Sequence, residues 1–371
     1  MPTPTKSSTV NPDTNTDISY PSFCHPLGDG RLQCDLCPRA CRLREGQRGL
    51  CFVRGARHGR VELLTYGRSS GFCIDPIEKK PLHHFLPGTP VLSFGTAGCN
   101  LTCDYCQNWD ISKSRAADTL ATEASPEQIA RAAHSHGARS VAYTYNDPVI
   151  FLEYACDTAQ ACHALGVKNV AVTAGYISPG ARERFFADMD AANIDLKAFS
   201  EDFYRQHCGG QLGPVLETLE YLKQESTIWV EITTLLIPGL NDSNAELTAL
   251  CAWIREHLGR DVPLHFSAFH PDFKLRQLPP TPAATLTRAR QIARDHGLHY
   301  VYTGNVHDRA GASTWCSGCD ALLIERDWYQ LGTWALSPGG TCRACGTPCA
   351  GVFEATPGDW GARRQPLGLH P

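Results

Sequence analysis

Three cysteines stand close together in the segment Gly95-Thr-Ala-Gly98-Cys99-Asn-Leu-Thr-Cys103-Asp-Tyr-Cys106-Gln-Asn108. Thiolates at C-x3-C-x2-C spacing fit one compact loop around a metal centre, and their number is informative. A structural zinc takes four ligands and closes its sphere, and an electron-transfer [4Fe–4S] cluster takes four cysteines. Three local thiolates leave one iron of a cubane open to another ligand. Gly95 and Gly98 allow the sharp turns that bring backbone close to a metal, and N–H groups in such a loop tune a cluster by hydrogen bonds to sulfur. The alternatives on spacing alone are a zinc site or a closed cluster, each completed by a distant fourth ligand.

Two further cysteine sets flank this loop. Cys316-x2-Cys319-x22-Cys342-x2-Cys345 has the two paired knuckles of a zinc ribbon, with Trp315, Trp328, Tyr329 and Trp334 available as a small core around the metal. Cys34-x2-Cys37-x3-Cys41-x9-Cys51 permits either a four-thiolate zinc or a [4Fe–4S] cluster. Eight arginines and two acids, Asp35 and Glu45, lie between Arg31 and Arg60. That excess suits hydrogen bonding to thiolate sulfur, a solvated basic face or a patch for a protein partner. Cys24, Cys73, Cys156, Cys162, Cys208, Cys251 and Cys349 are scattered and read as small buried hydrophobes.

The elements that must carry the central loop are legible in the apolar pattern. Strands are expected at 91–94, 140–144, 169–173, 193–196, 228–235, 264–267 and 299–303, with helical patterns between them. Ser125 followed by Gln128 reads as a capping box opening a helix to about His136. Helices are expected over 149–165, 244–258 and 282–296, each stopping at a glycine (Gly166, Gly259, Gly297). This alternation indicates parallel βα units, in a doubly wound sheet or a full or partial TIM-type barrel. In both, chemistry sits at the C-terminal strand ends. The central cysteines follow the first strand of the series.

With Tyr105 before the third cysteine, the C-x3-C-x2-C loop resembles that of the radical S-adenosylmethionine (SAM) superfamily. The resemblance covers roughly residues 88–305. The segments Asp75-Pro-Ile-Glu-Lys-Lys-Pro-Leu82, Tyr143-Thr-Tyr-Asn-Asp-Pro148, Asp195-Leu-Lys-Ala-Phe199, Leu236-Ile-Pro-Gly-Leu-Asn-Asp242 and Ser267-Ala-Phe-His-Pro-Asp272 narrow it to the AmmeMemoRadiSam-system enzymes, relatives of the pyruvate formate-lyase-activating enzyme. The resemblance implies an α/β fold: a partial (β/α)6 TIM-type barrel, here with Cys-rich metal-binding modules at both ends. It implies that Cys99, Cys103 and Cys106 hold a [4Fe–4S] cluster whose open iron binds SAM. An electron then cleaves SAM to a 5′-deoxyadenosyl radical that abstracts hydrogen from a substrate. A glycyl radical enzyme activase, acting on protein, is one alternative, and an iron–sulfur or zinc scaffold or electron carrier without SAM chemistry is another. The implied partners are an electron donor of flavodoxin or ferredoxin type and other proteins of the named system.

SAM contacts are expected from Tyr105, Asn146, Asp147, Asp195, Lys197, Asn241 and His270. Asn146 and Asp147 follow the second strand, where relatives hold the SAM ammonium. Asp147 stands where the family pattern has Glu, and it is equally placed to cap a helix ahead of Pro148. Asp195 and Lys197 alternate with Leu196 and so face one side, as SAM contacts or as an ion pair in the barrel lumen. The turn Pro238-Gly-Leu-Asn-Asp242 offers backbone donors to an adenosine edge or, through Asp242, an N-cap. His270 follows the sixth strand, as a SAM contact or a structural histidine.

Among 371 residues there are 18 cysteines and 34 basic against 38 acidic side chains, a formal net charge of −4. This balance does not suggest a nucleic-acid binder. No apolar run is long enough to span a membrane. No secretory signal is visible, so reduced thiols and a cytoplasmic location are expected. The expected organisation is a disordered tail over 1–23, a four-cysteine module and lead-in over 24–87, the barrel over 88–305, the zinc-ribbon-like module over 306–350 and a flexible tail over 351–371.

Overall fold

The structure, a computed structural model, describes residues 23–113 and 122–369. The expected N-terminal tail lies outside the described residues except for Phe23. The central sheet begins with β1 (Arg68–Pro76) and β2 (Pro90–Gly95), paired antiparallel, and continues through β3 (Ser140–Tyr143), β4 (Lys168–Thr173), β5 (Ala191–Asp195), β6 (Trp229–Leu236), β7 (Leu264–Ala268) and β8 (Val301–Gly304). From β2 to β8 every neighbour is parallel and every strand pairs with the next in sequence. The crossovers carry α1 (Pro126–Ser135), α2 (Leu152–Ala164), α3 (Pro179–Phe186), α4 (Gly213–Gln224), α5 (Asn244–His257) and α6 (Ala283–Asp295). The chain is thus a mixed α/β protein with six strand–helix units and a closing strand.

Local chemistry explains the elements. β2 and β3 are buried along almost their whole length, as expected of parallel strands covered on both faces. The box at the start of α1 is formed: Gln128 N donates to Ser125 Oγ, and Ser125 N donates to Gln128 Oε1 at 2.7 Å. α5 starts at a Ser243 cap rather than at Asp242, because Ser243 Oγ accepts from Glu246 N while Asp242 accepts from Gly239 N.

The segment before β2 closes the N-terminal end of the barrel. Ile77, Leu82, Phe85 and Leu86 pack against Val91, Ala142, Val170 and Ala191. Glu231 on β6 receives the backbone N–H groups of His83 and His84 at 3.0 and 2.8 Å, and His265 Nε2 lies 2.6 Å from Oε2, the oxygen that also accepts from His83. With that end plugged, the C-terminal strand ends are left for a site.

The C-terminal module is a three-stranded antiparallel sheet, Thr314–Trp315, Leu322–Asp327 and Gln330–Trp334. It docks on the barrel floor through Arg326, fully buried, which donates to His83 O at 2.7 Å and Thr314 Oγ1 at 2.8 Å. Of the aromatics expected in its core (Trp315, Trp328, Tyr329 and Trp334), Trp334 packs against it. Tyr300, Tyr302, Leu323, Ile324 and Leu336 fill it, while Trp328 is exposed. The stretch expected as a flexible tail, 351–371, instead runs back along the barrel over its described part. Val352 bridges Phe85, Gly358 packs on Gly88, and β9 (Gln365–Pro366) pairs with β1. The reason is the open edge of β1, whose backbone groups this strand satisfies.

The N-terminal module combines a small antiparallel sheet (Cys24–Pro26, Leu32–Cys34, Arg42–Leu43) with a hairpin, Arg54–Arg57 and Arg60–Leu63. Two of its arginines face the barrel. Buried Arg54 makes a bidentate pair with Glu153 at 2.6 and 2.8 Å, and Arg39 Nε donates to Asn100 O at 3.0 Å.

Candidate functional site

A cavity of about 410 Å³ opens at the C-terminal ends of the strands, with Cys99, Cys103 and Cys106 in its wall. That size suits a small organic cofactor. The cysteine loop leaves β2 and is held from several sides. Asn146, after β3, accepts from Thr96 N at 3.2 Å and donates to Gly98 O at 2.7 Å. Asn100 donates to Tyr176 O at 2.9 Å, and Thr102 N and Asp104 N donate to Cys208 O and His207 O. Gly98 has φ +84°, and a Cβ there would stand 1.9 Å from Cys51 O, so only glycine fits.

Three of the expected contacts stand close together in the wall: Asp147, Asp195 and Lys197. Asp147 caps the turn Pro148–Phe151. It accepts from Val149 N at 3.1 Å, Thr173 Oγ1 at 2.7 Å and Ala174 N at 3.3 Å. Burial pushes its pKa up to about 6 despite these hydrogen bonds. Lys197 lies just past the end of β5, and its Nζ is 2.5 Å from Asp195 Oδ2. Burial opposes the Lys197 charge, but Asp195 and the neighbouring thiols overcome it and hold the ammonium protonated. Tyr105 lines the cavity and turns its hydroxyl to Cys208 Sγ, 3.1 Å away. Cys208 therefore backs the loop behind Cys103 and Tyr105. Its spacing in sequence carries no signal of this, because it comes from a separate turn, Tyr204–Cys208.

The other expected contacts are placed differently. Asn146 reaches the wall, yet its amide is used by the cysteine loop. Asn241 is buried outside the cavity lining; it accepts from Ile237 N and donates to Lys197 O and Leu235 O, at 2.7–2.9 Å. A buried amide is satisfied first by nearby backbone, so Asn241 shapes the turn rather than facing a ligand. His270 also stands outside the lining and meets Gln107 Nε2 at 2.9 Å, with Gln107 between it and the cavity.

The residues present fit an open iron–sulfur cluster. Among the described residues, Cys99, Cys103 and Cys106 are the cysteines that line this cavity, and Cys208 stands behind Cys103 and Tyr105, outside the lining. Polar groups of both signs face the space beyond them.

The C-terminal cysteines make a tighter set. The sulfurs of Cys316, Cys319, Cys342 and Cys345 all lie within 4.8 Å of one another, with 316–345 at 3.6 Å and 319–342 at 3.8 Å. Gly318 N donates to Cys316 Sγ at 3.4 Å, as in a metal knuckle. The N-terminal four line one small enclosed cavity together with Leu36, Arg54 and Ile150.

The sequence profile of the radical SAM superfamily matches residues 94–251. An uncharacterized protein of Methanocaldococcus jannaschii is 43% identical over 304 residues, spanning 82% of this chain and 90% of that one. The benzylsuccinate synthase activating enzyme of Thauera aromatica is 28% identical over 125 residues, 33% of this chain and 38% of that one. Among solved structures, a domain of a pyruvate-formate lyase-activating enzyme from Bacteroides vulgatus superposes with a TM-score of 0.40 at 15% identity, covering 45% of this chain and 99% of the domain. A radical SAM methyltransferase from Sphaerobacter thermophilus gives 0.48 at 17% identity, over 64% and 71% of the two chains. The chain belongs to the radical SAM superfamily. Membership implies a [4Fe–4S] cluster, SAM and a reducing electron donor. No helix among the described residues is long and apolar enough to cross a membrane.

Proposed function

We propose that the chain is a radical SAM enzyme whose Cys99, Cys103 and Cys106 hold the cluster and whose 410 Å³ cavity takes SAM and the reacting part of a substrate. When bound, these cofactors supply a 5′-deoxyadenosyl radical that abstracts hydrogen. The observation that carries the reading is the count of thiols in the cavity wall: Cys99, Cys103 and Cys106 line it, together with polar side chains that include Asp147, Asp195 and Lys197. The chain's own residues bind and shield. Asp147 offers a buried carboxylate suited to the SAM ammonium, and its backbone hydrogen bonds fix its direction. Lys197, oriented by Asp195, offers a cation to a carboxylate. Asn146 and Asn100 hold the loop, and the plug over residues 77–86 denies water a path through the barrel floor. The C-terminal four cysteines hold zinc in this reading. Zn–S bonds of about 2.3 Å in a tetrahedron put sulfurs about 3.8 Å apart, which their spacing matches. The reductant is a one-electron carrier of flavodoxin or ferredoxin type.

Anaerobically reconstituted protein with SAM and dithionite is expected to release 5′-deoxyadenosine, and the Cys99→Ala/Cys103→Ala/Cys106→Ala variant none. Equal release from both, or none from either, contradicts the reading.

A second reading concerns the substrate. The stretch similar to the benzylsuccinate synthase activating enzyme favours a protein substrate, a glycyl radical enzyme. Incubation with a candidate partner should then give a glycyl radical EPR doublet. The finer placement among AmmeMemoRadiSam-system enzymes rests on the motifs around Asp75, Asn146, Asp195, Asn241 and His270, and predicts co-purification with the other proteins of that system.

A further inference from the structure

The four cysteines of the N-terminal module are gathered in space but not as zinc ligands are. Cys34 ends a strand, Cys37 lies in the bend after it, Cys41 directly precedes the strand Arg42–Leu43 and Cys51 lies in the turn before the hairpin, and all four line one cavity. Among the described residues, the C-terminal four are the group of His, Cys, Asp or Glu whose ligand atoms all fall within 4.8 Å of one another, and the N-terminal four do not meet that limit. Cys99, Cys103 and Cys106 do not meet it either. Thiolates on the corners of an iron–sulfur cube stand farther apart than those on one zinc ion, by about the edge of the metal core. The molecule thus holds one cysteine set at zinc spacing and two at wider spacing.

The space between the N-terminal sulfurs points the same way. Four thiolates on one zinc leave no room between them for a water-sized body. Here all four line one cavity of about 20 Å³, above the roughly 10–15 Å³ that admits one water. Its other walls include the apolar side chains of Leu36, Leu43 and Ile150 and the polar ones of Arg39, Arg54 and Asn100. Arg54 is 3% exposed, and its Nε–H has no acceptor. A buried guanidinium N–H without a partner is costly, and a cluster sulfide or thiolate in this cavity would satisfy it.

From these observations we infer that Cys34, Cys37, Cys41 and Cys51 hold a second, fully ligated [4Fe–4S] cluster, not zinc. It lies beside the core loop. Cys51 O touches Gly98, one residue before Cys99, and Asn100 lines the N-terminal cavity while its carbonyl receives Arg39. This inference does not depend on the SAM reading.

The test is iron, sulfide and zinc analysis of the full chain, reconstituted anaerobically, as wild type and as Cys99→Ala/Cys103→Ala/Cys106→Ala. The triple variant leaves the N-terminal module untouched. It is expected to keep about four irons and four sulfides, against about eight of each in wild type, with about one zinc in both. A triple variant with no iron and about two zincs, or with a single iron and no sulfide, overturns the inference. Four irons in both proteins would support the N-terminal cluster and count against the core one. Cys34→Ser/Cys51→Ser in the wild-type background should halve the iron; if it fails to fold, the triple variant alone decides.

Discussion

The two four-cysteine modules are built from the same ligands yet hold them differently. The C-terminal set is pulled to contact distance, with two of its sulfurs buried and two exposed, on a small sheet. The N-terminal set stands apart around an enclosed cavity, and its module is clamped to the barrel by Arg54, Arg39 and the Cys51–Gly98 contact. The first lies in the small sheet that docks on the barrel floor through Arg326. The second sits against the loop of Cys99, Cys103 and Cys106. Ligand type and number are equal in the two, so spacing and the charge beside the cavity are what separate them.

The sharpest break of the comparison is removal of a core ligand. Cys103→Ala should abolish 5′-deoxyadenosine formation and cost about four irons while both flanking modules keep their metals. Loss of zinc along with the iron would mean that the modules are not independent. Next in size is the ribbon. Metal binding supplies on the order of 10 kcal/mol to the folding of small zinc modules. Cys316→Ser/Cys342→Ser should therefore open residues 314–349 to protease while the barrel keeps its iron. Arg54→Ala breaks the bidentate pair of Arg54 with Glu153, and breaking a buried ion pair costs about 3–5 kcal/mol. Chemical denaturation should show that loss. A variant as stable as wild type would mean that the module is not held through Arg54.

The smallest expected effect is a pH dependence at the floor, where the ribbon docks. His84 lies against Tyr300, Tyr302 and Cys349, with Glu231, Arg326 and His265 near, and burial pushes its pKa down to about 4 from 6.5. As pH falls from 6.5 toward 4, the unfolded chain takes up a proton that the folded chain refuses. Stability should then drop by up to about 3 kcal/mol over that window. Thermal melts across pH 4–7 should show this slope, and His84→Gln should flatten it.

Much of this arrangement is legible in the residues themselves, and the limits have physical causes. The parallel strands stand out because each is a short apolar run buried on both faces, and α1 because Ser125 and Gln128 carry its cap locally. β1 is hidden because its start, Arg-Ser-Ser-Gly, lacks an apolar pattern and its pairing with β2 carries a bulge. The C-terminal arm looks like a tail because its partner strand lies nearly three hundred residues away in sequence. At the site, the cysteines announce themselves by spacing, and Asp147 by its place before Pro148. Asn241 and Asn146 look like ligand contacts because an Asn after a strand is equally suited to a ligand or to backbone, and only the fold shows which it meets. The roles of Cys208, Glu231 and Arg326 depend on contacts between distant segments and leave no local mark.

The most direct measurement of the central claim is EPR of the dithionite-reduced protein with and without SAM. The account predicts that the signal lost in Cys99→Ala/Cys103→Ala/Cys106→Ala shifts on SAM addition, because its cluster has an iron without a thiolate. Any signal remaining in that variant should not move. Spectra unchanged by SAM in the wild type would contradict an open cluster at Cys99, Cys103 and Cys106.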